Sequence, residues 1–206
     1  MHPNPIFRKT DATKALDFAR QRGFGTLSIN GTKAPLAAHI PFILSDDGTK
    51  AMFHLVRSNP IARQPNSNAL LAITGPDAYI SPDWYGVEQQ VPTWNYIAVH
   101  LRGTLNILPD EALEPHLRAL SMYFEQKLLP KPVWLLDKVS KENRKKMMRM
   151  IVPAEIIISD IDSTWKLAQN KPDTVRNAAA DHLENSPVGA GQIELAQLMR
   201  DAKKEN

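Results

Sequence analysis

Short β-prone runs separated by turn signals fill much of the first half of this chain and constrain its fold more than any other feature. The runs that predict strands are 24–29, 35–44, 51–56, 69–74 and 97–108. Asn30-Gly31 and Asp46-Asp47-Gly48 lie between consecutive runs and are typical of hairpin turns. Because such turns join strands that are neighbours in sequence, we expect local antiparallel pairing. The sequence therefore predicts a mainly β fold with an antiparallel, barrel-like sheet.

Helices are expected around this sheet. Asp11 is placed to cap a helix over 13–22, which Gly23 ends. A second helix follows Pro109 and carries an apolar stripe with helical spacing: Leu113, Leu117, Leu120, Phe124 and Leu128. A helix is also predicted over 141–150 and a further strand over 152–161. The chain then reads as polar and less ordered until an amphipathic helix over 192–203. We expect one domain over 1–185 with helical insertions, and a C-terminal amphipathic tail over 186–206.

Composition limits the classes of function. The chain has 206 residues, no cysteine and a formal net charge of +3. Disulfides, thiolate metal sites and cysteine nucleophiles are therefore excluded. No apolar run approaches the roughly 20 residues that span a bilayer, and no signal-peptide pattern opens the chain. We expect a cytoplasmic protein without a membrane segment, and its modest positive charge weakly favours anionic partners.

The segment 75–96 concentrates aromatic residues. It contains two of the four Trp and three of the four Tyr, together with three prolines. Flat apolar rings on a stiff backbone suit a preformed pocket for a planar ligand, although an aromatic corner of an ordinary core has the same composition. Both interpretations stay open on composition alone.

Two further segments suit an anionic or polar ligand. In the run 53–63, Ser58 or Asn59 can cap a short helix that Pro60 begins, and Arg57 and Arg63 flank it, which predicts an anion site. The alternative is a capped turn with solvated arginines. In 163–171, aromatic, amide and ammonium groups could together bind a ring with alternating donors and acceptors. The alternative there is a loop with an exposed Trp.

Basic residues and histidines offer weaker signals. On a helix, Lys138, Lys141, Lys145 and Arg149 would share one face, so the 138–149 segment could contact DNA phosphates, although a solvated helix face is the simpler interpretation. The six histidines lack the spacing of metal ligands, so we expect no metal site. Histidines within predicted strands usually serve as hydrogen-bonded interior or edge residues.

Four motifs together resemble the PaiB family, described as FMN-binding negative transcriptional regulators. They are His-Leu-Val-Arg-Ser-Asn-Pro at 54–60, Gly-Pro-Asp-Ala-Tyr-Ile-Ser-Pro-Asp-Trp-Tyr at 75–85, Val-Pro-Thr-Trp-Asn-Tyr at 91–96 and Trp-Lys-Leu-Ala-Gln-Asn-Lys at 165–171. The resemblance covers roughly residues 1–185 in the same order and spacing. The chain is accordingly identified as a member of this family.

The resemblance implies an FMN-binding split β-barrel, related to pyridoxamine-phosphate oxidases, that forms a homodimer with flavin between its subunits. It implies FMN contacts from Arg57, Ser58, Arg63, Trp94, Asn95, Tyr96, Trp165, Lys166, Gln169 and Asn170. The implied function is negative transcriptional regulation. The alternative is an FMN-dependent oxidoreductase of the flavin reductase or pyridoxamine-phosphate oxidase kind, whose chemistry the cofactor would supply without a visible catalytic dyad. A third possibility is haem binding through His39, His54 or His100.

Two departures from the family pattern carry expectations of their own. Pro153 removes a backbone donor, so the strand predicted there should start at or after this residue or lie at a sheet edge. Ala168 stands where a Ser is common, which removes a hydroxyl from the expected pocket.

Gly103 within the 97–108 run indicates a bulge.

Overall fold

A computed structural model describes residues 1–202 of the chain. The strands are β1 Phe24–Ile29, β2 Leu36–Leu44, β3 Lys50–Val56, β4 Asn68–Ile80, β5 Thr93–Ile107, β6 Ile151–Lys166 and β7 Gly189–Ala190. The helices are α1 Ala12–Arg22, α2 Leu113–Gln126, α3 Lys141–Met148, α4 Asp173–Leu183 and α5 Gln192–Asp201. Within 1–202, no helix has both the length and the apolar character needed to cross a membrane.

The chain forms two compact units. The first consists of Met1–Ala15, Ile73–Val99 and Asp162–Asn206, and the second of Leu16–Ala72 and His100–Ile161. Strands β4, β5 and β6 each contribute residues to both units. The proposed division into a 1–185 domain and a 186–206 tail stays a prediction.

Antiparallel pairing of sequence neighbours organises the second unit, as predicted. β1 pairs with β2 from Phe24↔Pro41 to Ile29↔Leu36, β2 pairs with β3, and β3 pairs with β6. The strand order is β1-β2-β3-β6-β5-β4-β7, and β1 also pairs with β4. The succession of pairings therefore returns to its starting strand, as a barrel-like sheet requires.

Alternating burial along these strands builds the core. In β3, residues at every second position are buried, and Phe53 is wholly inaccessible to solvent. Phe42 of β2 and Leu71 of β4 are equally buried. Since successive side chains of a strand point to opposite faces, one face of each strand supplies the apolar interior. This is the packing that the period-two pattern of the sequence indicates.

Gly103 is required by a close approach of two strands. β5 runs without interruption through this residue, and a Cβ atom placed on it would overlap the backbone carbonyl of Ile157 in β6. A glycine within a strand often marks such an approach. The contact between backbones therefore explains the glycine that the sequence suggested as a bulge.

The expectation for Pro153 is wrong. β6 begins at Ile151, includes Pro153, and lies between β3 and β5 rather than at an edge. In an antiparallel ladder, hydrogen-bonded and non-bonded pairs alternate. The bonds Arg57 N to Met150 O and Ile158 N to Thr49 O make Pro153↔His54 a non-bonded pair, so β3 needs no donor there. On the other side Pro153 O accepts from Leu108 N, beyond the end of β5, and only one terminal bond is lost.

In the first unit, β4 and β5 extend beyond their predicted bounds. Asp77, which follows the predicted strand 69–74, lies within β4 and pairs with Ala190 of β7. Thr93 to Tyr96, expected just before a strand, form the beginning of β5. Prolines near these positions indicated turns rather than strands, which was misleading. Pairing with neighbouring strands provides partners for the backbone groups that a turn would otherwise have satisfied.

The segment expected to be polar and less ordered contains helix α4. Its Arg176 is only 2% exposed, donates to Met199 O at 2.6 Å, and forms an ion pair with Asp173 at 2.9 Å. Ala179, Ala180 and Leu183 supply the buried apolar face, and α4 packs against α5. The helix was missed because its small alanines and buried arginine give a weak apolar stripe. Residue 203, the predicted end of the C-terminal helix, lies outside the described residues.

Helices α1 and α2 agree with their sequence patterns in part. Asp11 caps α1 through Thr13 N at 2.7 Å, as predicted. In the stripe of α2, Leu113 and Leu120 are buried. Leu128 lies beyond the end of the helix and is 53% exposed, so its assignment to the core-facing stripe is wrong.

A buried histidine pair joins α2 to β3. His116 is 2% exposed, and its Nε2 lies 3.4 Å from Nδ1 of His54. His116 Nδ1 has no hydrogen-bond partner among the described residues. Burial, and secondarily the neighbouring His54, lowers the pKa of His116 to about 4, and burial also lowers the pKa of His54. Both rings are therefore neutral near pH 7.

We predict that acid destabilises the fold through this pair. An unfolded histidine takes up its proton near pH 6.5, whereas folded His116 does so near pH 4, so the unfolded state binds more protons between these values. The stabilising contribution is complete above pH 6.5 and is lost as the pH falls. Between pH 7 and pH 5, His116 should account for a loss of about 2 kcal/mol in the free energy of unfolding.

Urea unfolding at both pH values measures this loss. His116→Phe should flatten the pH dependence, while a control replacement of the exposed His39 by Gln should retain it. An unchanged slope in His116→Phe would contradict the assignment.

Candidate functional site

The first unit contains a polar cavity of 260 Å³. Its walls combine ammonium, amide and hydroxyl groups with a few apolar side chains. The lining residues are Asn4, Phe7, Tyr85, Gln89, Gln90, Val91, Thr93, Asn95, Lys166, Ala168, Asn170 and Lys171. Polar groups that converge on one concave space are the usual mark of a ligand site.

Strand ends place these groups. Thr93 and Asn95 lie at the beginning of β5, and Lys166 is the last residue of β6. Tyr85 ends a 3-10 helix, Pro82–Tyr85, within the aromatic segment. After β6 the chain turns through Ala168, whose φ of 59° lies in the left-handed region that alanine rarely adopts. This strained backbone at a cavity wall is a frequent property of functional sites.

Tyr85 presents an unsatisfied polar atom. The side chain is 2% exposed, and its hydroxyl has no hydrogen-bond partner among the described residues. Burial raises the pKa of this phenol to about 12, so it is neutral and keeps its proton. A buried hydroxyl without a partner costs free energy, and a ligand atom that accepts from it would recover that cost.

Two lysines provide positive charge. Lys166 Nζ donates to the Thr93 hydroxyl, and Lys171 Nζ donates to Oε1 of Gln90. The ammonium of Lys171 also lies 4.4 Å from the centroid of the Tyr85 ring, as in a cation–π contact. Burial lowers the pKa of both lysines. Partly desolvated ammonium groups that form no ion pair within residues 1–202 favour an anionic or strongly polar ligand.

Three residues of the predicted FMN set line this cavity together: Asn95, Lys166 and Asn170. Gln169 does not, because its amide is used by the backbone. It accepts from Leu167 N at 2.9 Å and donates to Trp165 O at 2.7 Å and Ile6 O at 3.3 Å. Gln169 thus holds the turn that positions its neighbours.

The predicted aromatic residues occupy three different environments. Trp165 is 4% exposed, and the Lys14 ammonium lies 4.7 Å from its ring centroid, so it packs as an interior residue. Tyr96 is half-buried on β5. Trp94 is 45% exposed, with the Tyr79 ring edge-on at 6.4 Å. Of these three, Trp94 presents the largest apolar surface to solvent.

In the second unit, the predicted anion site forms the expected capped turn. Asn59 accepts from Ile61 N at 2.9 Å, and Pro60 begins the 3-10 helix Pro60–Arg63. Arg57 is engaged within the protein, since it donates to Asp110 at 2.9 Å and to the carbonyls of Arg149 and Ile151. Ser58 and Arg63 are exposed and make no side-chain hydrogen bond or ion pair within residues 1–202. They are the groups of this turn that stay available to an anion.

The remaining candidates are the basic residues of 138–149 and the histidines. Lys138, Lys141, Lys145 and Arg149 are all exposed, but the expectation that they share one helix is wrong. Only Lys141 and Lys145 lie in α3, whereas Lys138 ends the separate 3-10 helix Leu136–Lys138 and Arg149 follows α3. His39 is exposed on β2 beside the Thr26 hydroxyl at 3.0 Å, and His54 is paired with His116. No group of three or more potential metal ligands occurs in the described part of the chain.

The sequence did not predict that Tyr85, Gln90, Thr93 and Lys171 line one cavity. Tyr85, Thr93 and Lys171 lie within the quoted motifs. However, no periodicity indicates that a 3-10 helix and the ends of two strands enclose one space. The signal that could have identified Tyr85 is its place in the aromatic segment 75–96.

The cavity chemistry fits part of an FMN molecule. An unsatisfied phenol, two ammonium groups and amides suit the polar edge of a flavin ring or its phosphate. The volume of 260 Å³ is below the range of about 300–1,000 Å³ typical of complete ligand sites. The cavity alone therefore accommodates one polar end of the cofactor.

Comparison with known proteins identifies relatives of the whole chain. A family model described as "Putative FMN-binding domain" matches residues 1–160. The chain is 31% identical over 209 residues to the protease synthase and sporulation protein PAI 2 of Bacillus subtilis, covering 100% of this chain and 99% of the relative.

Solved structures share the fold at low sequence identity. An FAD- and haem-binding protein from Mycobacterium smegmatis superposes with a TM-score of 0.58 and 16% identity, covering 78% of this chain and 73% of that one. The flavocytochrome Anf3 from Azotobacter vinelandii gives a TM-score of 0.57 and 13% identity, covering 80% and 72%. These likenesses confirm the predicted antiparallel split-barrel fold. The predicted homodimer stays a prediction.

We predict that Tyr85→Phe separates stability from flavin affinity. Removing the unsatisfied hydroxyl should raise the unfolding free energy of the flavin-free protein by about 1 kcal/mol. It should lower FMN affinity about tenfold, because the ligand loses a hydrogen bond. Urea unfolding and quenching of FMN fluorescence measure the two effects. Tyr79→Phe, outside the cavity, is the control, and unchanged FMN affinity in Tyr85→Phe would contradict the assigned contact.

Proposed function

The chain belongs to the PaiB family of FMN-binding domains, with FMN as its cofactor, and we propose that it is a flavin-binding negative regulator of transcription. The observation that carries the regulatory part is the match to PAI 2 over the full length of both chains. The name of that relative refers to a protease synthase and to sporulation. DNA binding by a regulator gives a role to the exposed basic residues of α3, to which no flavin contact is assigned.

Cofactor contacts are assigned within each unit by itself. In the first unit, Tyr85, Lys166, Lys171 and Asn170 bind the polar edge of the flavin ring through the phenol, ammonium and amide groups of the cavity. In the second unit, Ser58 and Arg63 bind the phosphate, together with the backbone N–H groups that begin the 3-10 helix. Arg57 acts through its bonds to Asp110 and two carbonyls, which hold this turn in place.

Bound FMN supplies one- and two-electron redox chemistry. The chain's contribution is to orient the ring and to control water around it. The neutral phenol of Tyr85 keeps its proton and can donate a hydrogen bond to an acceptor atom of the flavin. The partly desolvated lysines favour additional negative charge on the flavin. A change in the charge of the flavin therefore changes its electrostatic interaction with these side chains. This change is a physical basis for a redox-responsive regulator.

Assembly and location are also part of the proposal. Val91 and Trp94 are 72% and 45% exposed at the start of β5, and such apolar surface is favourable to cover. We assign this surface to a second copy of the chain, in a homodimer that covers part of the flavin. The expected cytoplasmic location belongs to the same proposal. Light scattering of the FMN-loaded protein tests the dimer, and a monomeric mass would contradict it.

Separate variants should distinguish the two ends of FMN. Arg63→Gln should weaken FMN binding about tenfold and leave riboflavin binding unchanged, because only FMN carries the phosphate. Lys171→Gln should weaken the binding of both ligands by the same factor, because both contain the ring. Calorimetric titration with FMN and riboflavin measures these factors. Equal losses for both ligands in Arg63→Gln would contradict the phosphate assignment.

DNA binding should depend strongly on salt. If Lys138 and Lys141 contact phosphates, the double replacement by Gln should reduce the slope of log affinity against log salt by about two, since each neutralised phosphate releases about one counterion. Binding of the protein's own upstream DNA at several salt concentrations measures the slope, with Lys9→Gln as the control. Absence of DNA binding, together with NAD(P)H oxidation by the FMN-loaded protein, would favour the oxidoreductase alternative.

A further inference from the structure

The helical insertion of the second unit contains two adjoining cavities to which no flavin contact is assigned. One has a volume of 290 Å³ and an almost wholly apolar wall that includes Leu117, Trp134, Val139 and Met147. The other has a volume of 470 Å³ and includes Lys141 and Lys145 of α3 and Arg149, which follows it. The structure thus places an apolar space next to a cationic one.

The two cavities share part of their walls. Arg144 and Met148 line both of them, so the two spaces adjoin. Arg144 is fixed in position, because its guanidinium lies 3.0 Å from Asp137 and 3.6 Å from Glu114, and its side chain is only 12% exposed. The boundary between the apolar and cationic parts is therefore rigid, whereas the methionine side chains can adapt to the shape of a ligand.

The cationic cavity has uncompensated charge. Its two carboxylates are already neutralised, Asp110 by Arg57 at 2.9 Å and Glu114 by Arg118 at 2.8 Å. By contrast, Lys141, Lys145 and Arg149 make no ion pair with any residue in the range 1–202. An anion in this cavity would meet three cations whose charges no neighbouring carboxylate neutralises.

We propose that this pair of cavities is a binding site for a small amphiphilic anion, a carboxylate or phosphate carried on an apolar body of about ten heavy atoms. The apolar body occupies the cavity beside Trp134, and the anionic group lies between Lys141 and Lys145. A volume of 290 Å³ is just below the range of about 300–1,000 Å³ for complete small-molecule sites, so this cavity holds only the apolar part of the ligand.

The site suggests a route of control. Lys141 and Lys145 belong also to the basic face assigned to DNA, so an anion between them competes with a phosphate backbone. Ligand binding then lowers DNA affinity and relieves repression. This consequence rests on the proposed function, whereas the binding site itself does not.

Calorimetry with octanoate tests the site directly on the FMN-loaded protein, without DNA. Octanoate should bind at one site per chain, octyl phosphate should bind comparably, and octanol should bind at least tenfold more weakly, because it lacks the charge. The double variant Lys141→Gln/Lys145→Gln should lose about tenfold in octanoate affinity, and Lys146→Gln, a neighbouring exposed lysine outside both cavities, should lose none.

Two variants locate the apolar part. Ser121→Leu adds apolar volume within the apolar cavity, so it should raise the melting temperature and abolish octanoate binding, a combination that misfolding cannot produce. Trp134→Phe should remove the octanoate-dependent change in tryptophan fluorescence while calorimetric binding persists.

Several results would overturn the proposal. They are equal affinities for octanoate and octanol, an unchanged affinity in the double lysine variant, or displacement of FMN by octanoate. Binding to vesicles of phosphatidylglycerol without any binding of monomeric octanoate would also overturn it, in favour of a membrane surface. Retained octanoate binding with unchanged DNA affinity would overturn the route of control but leave the site in place.

Discussion

Backbone pairing along β5 and β6 determines where the functional groups of this protein lie. The two strands run in opposite directions, since Leu108 at one end bonds to Pro153 and Thr93 at the other contacts Lys166. The start of one strand therefore lies beside the end of the other, and the polar residues at both ends meet. The close backbone approach at Gly103 is part of the same ladder. Once this pairing is set, Thr93, Asn95 and Lys166 must line one space.

The cavity retains polar groups at a cost to stability. The Tyr85 hydroxyl is buried without a partner, two lysines are partly desolvated, and Ala168 adopts a left-handed backbone conformation. Each feature is unfavourable in the flavin-free protein and becomes favourable when a polar ligand supplies the missing interaction. A fold selected for stability alone would have no reason to bring them together. Their coincidence in one cavity is the physical argument for a binding site.

The helical insertion shows a different distribution of charge. Asp137 binds both Arg118 and Arg144, and these contacts hold the pKa of its carboxyl well below the ordinary value. Arg118 and Arg144 thus hold the helices of the insertion together, whereas Lys141 and Lys145 form no ion pair within residues 1–202. Arginine suits the structural role because its planar fork binds carboxylates in a fixed geometry. The lysines are consequently available to an external anion, whether a nucleic acid or a small molecule.

The sequence by itself determined the antiparallel β1–β2 and β2–β3 hairpins, the cap of α1, the family and the cofactor. Those properties depend on local turn chemistry, period-two burial and long contiguous motifs, which a single chain displays directly. Only the tertiary structure decided that Gln169 supports its own turn, that Arg57 is engaged by Asp110, and that Pro153 is tolerated between two strands. It also revealed α4, in which Arg176 is buried although an arginine in a sequence usually indicates a solvent-exposed position. These outcomes depend on which distant groups satisfy each donor and acceptor, and three-dimensional packing alone sets those partners.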